Sequence, residues 1–151
     1  MIWTSKYFKI QEFVPPEIYH QYGEGSIKFI NPDIVTLADF TREFFGRPMT
    51  INNWHLNGPF SNRGFRVPDC KTGGRLSQHK FKGAFDHHQP GVDMREVYRL
   101  IMENEKIFME VGLTCMENID FTDPIGNPKT GWIHMDNRWT GSDHIVIVNP
   151  S

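Results

Sequence analysis

From Ile34 onward, Leu37, Ala38, Phe40, Phe44 and Phe45 recur at the three- and four-residue spacing of a helix with one buried face. Its ends are marked as well. Asn31 can cap, Pro32 suits the first helical position, Asp33 sits at the positive end, and Gly46 stops the run. A second stripe, Val97, Leu100 and Ile101, follows a capping box of Asp93 and Glu96 and predicts a helix reaching Gly112, with a break near Asn104. Elsewhere the pattern changes. Residues 49–54 (MTINNW), 113–119 (LTCMENI), 131–138 (GWIHMDNR) and 144–150 (HIVIVNP) read as strands. The first thirty residues read as short irregular pieces broken by Pro15, Pro16, Gly23 and Gly25. Residues 55–75 form a polar loop of a length that compact domains commonly reserve for function. With no repeat and no linker, the chain predicts one domain over 1–151, α+β, with helices packed on a mostly antiparallel sheet.

Composition sharpens this picture in three places. Twelve Phe and four Trp among 151 residues predict an aromatic core. A formal charge of −2, with basic residues scattered, argues against nucleic acid as a partner. Two cysteines, Cys70 and Cys115, with no CxxC pair, are neither a disulfide framework nor a zinc knot and suit a reducing compartment. The opening MIWTSKYFKIQEF has no basic-then-apolar leader, and no stretch approaches a membrane span. The expectation is a protein soluble where it is made, with no membrane partner.

The chemistry gathers at LSQHKFKGAFDHH, residues 76–88. His79 and Asp86 are seven apart. That offset would place them on opposite faces of a strand or two turns apart on a helix. A turn through Lys82-Gly83 lets them converge, and histidine plus carboxylate suits zinc, whose catalytic sites offer three protein ligands and one open position. His134 is the best third candidate. On a strand, Trp132, His134, Asp136 and Arg138 share one face, a polar face that either holds a metal or is solvated. His87 and His88 follow Asp86 directly, and at most one of two strand neighbours can face the site. His20, His55 and His144 have no company and read as surface residues. Trp54 and Trp132 read as core or site wall, and Cys70 is not needed as a ligand.

These residues carry a resemblance. SQHKFKGAFD (77–86) is similar to the S-x-H-x-x-G-x-A-x-D signature of zinc D-Ala-D-Ala carboxypeptidases and related peptidoglycan endopeptidases, through Ser77, His79, Gly83, Ala84 and Asp86. That family includes VanX-type dipeptidases and many phage endolysins, and the hedgehog domain shares its fold. WIHMD (132–136) resembles the family's W-x-H-x-D strand, RGFR (63–66) with Gly73-Gly74 its G-Y-R … G-G lead, and KYFKIQEF its F-x-x-x-E-F opening. The resemblance implies a hedgehog/DD-peptidase-like fold and a zinc ion held by His79, Asp86 and His134, with water at its open position. It also implies Arg66 on a substrate carboxylate or oxyanion, although alone Arg66 reads as a solvated loop arginine.

The family's general base usually stands just before the last histidine. Here those positions are Thr130 and Gly131, so the role passes to Glu117, with Asp136 as fallback and Asp120 and Asp123 as further upstream carboxylates. Asp136 itself suits the orientation of a histidine ligand. The implied function is hydrolysis of an amide bond in peptidoglycan stem peptides. The implied setting is phage lysis or the virion, with the protein made in the cytoplasm of the producing or infected cell and acting on the cell wall. Two alternatives stand beside it. One is a metal-holding binding protein of the same fold that has lost hydrolysis. The other is a histidine-rich ββα nuclease suggested by DHH at 86–88, disfavoured by the charge and by the missing second spaced histidine.

Overall fold

In the computed structural model, residues 3–124 and 131–150 are described. A 3-10 turn at Ile10–Glu12 leads into α1 (Pro16–Tyr22), and a second 3-10 stretch at Gly23–Phe29 leads into α2 (Pro32–Phe45). The Asn31 side chain accepts from the Asp33 N–H at 2.9 Å, and Gly46 closes α2 in the left-handed region at φ 65°. After the long loop come β1 (Ala84–His87), α3 (Met94–Glu103), α4 (Glu105–Glu110), β2 (Cys115–Glu117), α5 (Ile119–Thr122), β3 (Ile133–Asp136) and β4 (Val146–Val148). Asp93 caps α3 through the Arg95 N–H, and the break between α3 and α4 falls at Asn104. Among the described residues no helix is long and apolar enough to cross a membrane.

The four strands lie in the order β1-β3-β2-β4. β1 and β2 both pair antiparallel with β3, but β4 runs parallel to β2, so the sheet is mixed. The reason is one of free edges. Both sides of β3 are already taken, so the strand that reverses after it lies on an outer edge of the sheet, beside β2 and in the direction of β2. Residues 49–54 do not form the strand their pattern suggests. Thr50 alone bridges to His88, while Asn52 turns its side chain to the Val14 carbonyl and the Arg63 N–H.

Strand alternation divides the sheet cleanly. Phe85, Met116 and Met135 face the helices and are fully buried, with the Thr41 hydroxyl of α2 4.0 Å from the Met135 sulfur. Leu37 and Ala38 of α2, Val97 and Ile101 of α3, and Phe108 of α4 complete this core, where Phe40 and Phe108 meet edge to face at 5.2 Å. The opposite face carries Asp86, His134, Asp136 and Glu117. Asp86 and His134 are direct cross-strand partners, which brings residues 48 apart in sequence side by side.

Candidate metal centre

His79 reaches this face from a 3-10 turn at Gln78–Phe81 that ends in a left-handed residue. That residue is Lys82, at φ 63°. The family signature places its glycine at this position, so in this chain the glycine stands one place late, at Gly83. The likeness of residues 77–86 therefore rests on Ser77, His79, Ala84 and Asp86, with a lysine held in a backbone shape that glycine adopts more cheaply. Gly83 itself is closely packed, since a Cβ there would come within 3.1 Å of the Asn137 side-chain oxygen.

Three atoms converge. His79 Nε2 lies 3.2 Å from Asp86 Oδ1 and 3.2 Å from His134 Nδ1, and His134 Nδ1 lies 2.8 Å from Asp86 Oδ1. All three residues are buried. Ligand bonds of about 2.0–2.1 Å in a tetrahedral shell place neighbouring ligand atoms about 3.3 Å apart, close to this spacing.

The far side of each ring decides what the near side offers. His79 Nδ1 is 2.8 Å from the Gly64 carbonyl, which can only accept, so this nitrogen carries the proton and Nε2 presents a lone pair. His134 Nε2 is 2.8 Å from Asp136 Oδ2, which likewise accepts, so the neutral ring presents a lone pair at Nδ1. Two lone pairs and a carboxylate oxygen thus face one another at hydrogen-bond distance, and only a cation satisfies all three. These residues can hold a metal ion through two nitrogens and an oxygen. In the metal-free protein a proton takes this role. Burial opposes a charge on His134, but hydrogen bonds to Asp136 and Asp86 overcome it and push its pKa up to about 10. Burial dominates at His79 and pulls its pKa down. Burial also works against the Asp86 charge, yet the two histidines hold its carboxyl well below the usual carboxylate range.

Around the three ligand atoms the other candidates separate. Glu117, at the end of β2, brings Oε1 to 3.8 Å from His134 Nδ1, and burial raises its pKa. With Ser77, Gln78 and Arg138 it lines a cavity of about 90 Å³ at one side of the site. Asp136 is fully occupied behind His134, accepting also from Arg138 Nε at 2.9 Å and Nη2 at 2.6 Å. It orients the ring and does not face the ligand atoms. Asp120 is exposed and pairs with Arg95, away from the site. Asp123 is buried beyond α5, its carboxyl filling the space that a side chain on residue 131 would need: a Cβ at Gly131 would come within 2.6 Å of it. Thr130 lies outside the described residues.

Arg66 is buried and pairs through Nη2 with Asp86 Oδ2 at 3.3 Å, while its Nε donates to the Asn62 carbonyl at 2.7 Å. Neither histidine after Asp86 joins the ligand atoms. His87 turns to the core side of the sheet, where burial and the Arg63 charge push its pKa down to about 3 and keep it neutral. His88 binds Arg63 instead. Cys70 and Cys115 are both free thiols, and neither belongs to the metal-capable group. Trp132 is a wall of the neighbouring cleft, and Trp54 donates from its indole to the Val14 carbonyl.

The loop that carries the arginines is braced by the start of the chain, a connection the sequence pattern did not reveal. The Phe65 N–H donates to the Phe13 carbonyl at 2.7 Å, and a Cβ on Gly64 would come within 2.3 Å of that oxygen. Only glycine lets residue 64 turn its own carbonyl to His79 at so close an approach. Neither protein-family models, curated proteins nor solved structures give a match to this chain.

Proposed function

We propose that this chain is a zinc-dependent peptidase of the hedgehog/DD-peptidase fold, related to the D-Ala-D-Ala carboxypeptidases and VanX-type enzymes. On this reading it hydrolyses an amide bond in peptidoglycan stem peptides as a phage lysis or virion-associated enzyme. The observation that carries the reading is the convergence of His79 Nε2, Asp86 Oδ1 and His134 Nδ1, with Glu117 Oε1 3.8 Å from the last of these. A solvated polar face or a purely structural histidine cluster does not need both lone pairs turned inward against a carboxylate. The family motifs around His79, Asp86 and His134 supply the substrate class.

A bound zinc ion supplies Lewis acidity and a nucleophile near neutral pH. The protein's own groups do the rest. Glu117 takes a proton at its carboxylate from the attacking water and delivers it to the leaving amine. Arg66, fixed by Asn62 and Asp86, places its guanidinium where negative charge develops on the carbonyl oxygen. Asp136 and the Gly64 carbonyl hold the two imidazoles in the tautomers that face inward.

The test is Glu117→Gln in the metal-loaded protein. Zinc content should stay at one per chain, while release of free amines from purified peptidoglycan should fall by about 10²- to 10⁴-fold, the range for loss of a general base. Hydrolysis at the wild-type rate would remove Glu117 from the mechanism. A zinc-loaded wild type that leaves peptidoglycan and D-Ala-D-Ala intact would leave a binding protein.

A further inference from the structure

A second arginine, Arg63, is built into the cleft beside the ligand atoms, and no step above uses it. Its backbone is locked at both ends: its N–H donates to Asn52 Oδ1 at 2.8 Å, and its carbonyl accepts from the Asp86 N–H at 2.7 Å. The residue is only 8% exposed. The guanidinium lies over the Phe60 ring at 3.6 Å and donates to His88 Nδ1 at 2.6 Å. Among the described residues no carboxylate forms an ion pair with it. A buried cation with no direct ion pair is costly, and burial pulls its pKa down to about 10 against the attraction of the nearby Asp86 charge. The cleft of about 260 Å³ that it lines also holds Arg66, Asp86, Thr72 and Trp132. Its one carboxylate, Asp86, is already shared between Arg66 and the two histidines.

We propose that Arg63 is a specificity-determining residue whose guanidinium binds a free carboxylate of the substrate in the Phe60–Trp132 cleft, so that peptides with this carboxylate masked as an amide are discriminated against. This rests on the peptidase reading for the identity of the ligand as a peptide. Phe60 and His88 hold the guanidinium flat and leave its remaining N–H groups for a planar, two-oxygen acceptor. Arg66 is engaged with Asp86 next to the ligand atoms, so the two arginines divide the work: one at the reacting carbonyl, the other at the anionic end of the chain.

The experiment titrates zinc-loaded protein with N-acetyl-D-Ala-D-Ala and with its C-terminal amide, reading affinity by calorimetry and cleavage by amine release. In the wild type the acid should bind at least tenfold more tightly than the amide. Arg63→Gln should bring that ratio to near one, and Arg63→Lys should keep part of it. Equal binding of acid and amide by the wild type overturns the proposal, and so does a ratio that survives Arg63→Gln. The second outcome would place the carboxylate on the metal or on Arg66. If Arg63→Gln does not fold, an undiminished ratio in Arg63→Lys overturns the proposal in its place. Preference for the acid without cleavage of either peptide supports the subsite and counts against the hydrolase reading. Cleavage of both peptides, with equal affinity, does the reverse.

Discussion

Replacing Asp136 with asparagine tests whether the carboxylate behind His134 tunes that ring as a metal ligand. The exchange keeps size and shape. Arg138 donates to Oδ1 through Nε at 2.9 Å and to Oδ2 through Nη2 at 2.6 Å, and Oδ2 also accepts from His134 Nε2 at 2.8 Å, so the amide NH₂ of the variant meets a donor on either side. With the amide oxygen at the Oδ2 position His134 keeps a neutral acceptor in place of a charged one; with the NH₂ there, Nε2 faces a donor. The first makes Nδ1 a less basic ligand, and the second favours the tautomer with the proton on Nδ1. Loss of such an outer partner typically weakens metal binding by about 10- to 100-fold. At about 1.4 kcal/mol per tenfold this is about 1.4–2.8 kcal/mol. Competition against a chromophoric zinc chelator at fixed pH measures it, with far-UV circular dichroism to show that the variant is folded. Glu117→Gln, which leaves both tautomers alone, should bind zinc within about twofold of the wild type on the same assay. A folded Asp136→Asn protein with wild-type affinity would refute a role for this carboxylate in tuning His134, and with it the assignment of His134 Nδ1 as ligand.

Two further outcomes follow from the same geometry. His134 in the metal-free protein has a pKa pushed up to about 10, so below that pH a proton must leave before an ion enters. Apparent zinc affinity should therefore rise about tenfold per pH unit between pH 7 and 9, and calorimetry in buffers of different ionisation heat should count one proton released. The unfolded imidazole titrates near 6.5, so the stabilisation this proton gives the metal-free fold is complete below about pH 6.5 and is lost as pH rises through about 10. Chelator-treated protein should accordingly melt at lower temperature at pH 9 than at pH 7, and an unchanged or higher melting point would contradict the assignment. Lys82→Gly should stabilise the fold by about 0.5–1 kcal/mol in urea denaturation, because Lys82 sits at φ 63°. A loss of stability would show that the Lys82 ammonium, 2.8 Å from the Lys28 carbonyl, contributes more than its backbone strain.

The chain spelled out by itself whatever depends on near neighbours. The caps and apolar stripe of α2, the α3–α4 break at Asn104 and the Gly46 stop are local signals, and each stands where its residues predict. His79 and Asp86 were also legible as a pair, because their offset suits no regular element and calls for a turn, whereas the polar strand face of His134 left metal and solvent open and only the resemblance joined it to them. Tertiary structure decided the rest. The filled edges of β3 sent β4 to the outside of the sheet, parallel to β2, and the pull of Asn52 toward Val14 and Arg63 cost residues 49–54 their strand. That Glu117 comes to 3.8 Å from His134 while Asp120 pairs with Arg95 was decided by the fold. Which nitrogen of each imidazole points inward was set by a carbonyl 15 residues away in one case and a carboxylate two residues away in the other. Periodicity and capping are written in a few consecutive residues. Free edges, hydrogen-bond partners and the sharing of one carboxylate by several cations exist only once distant segments have met.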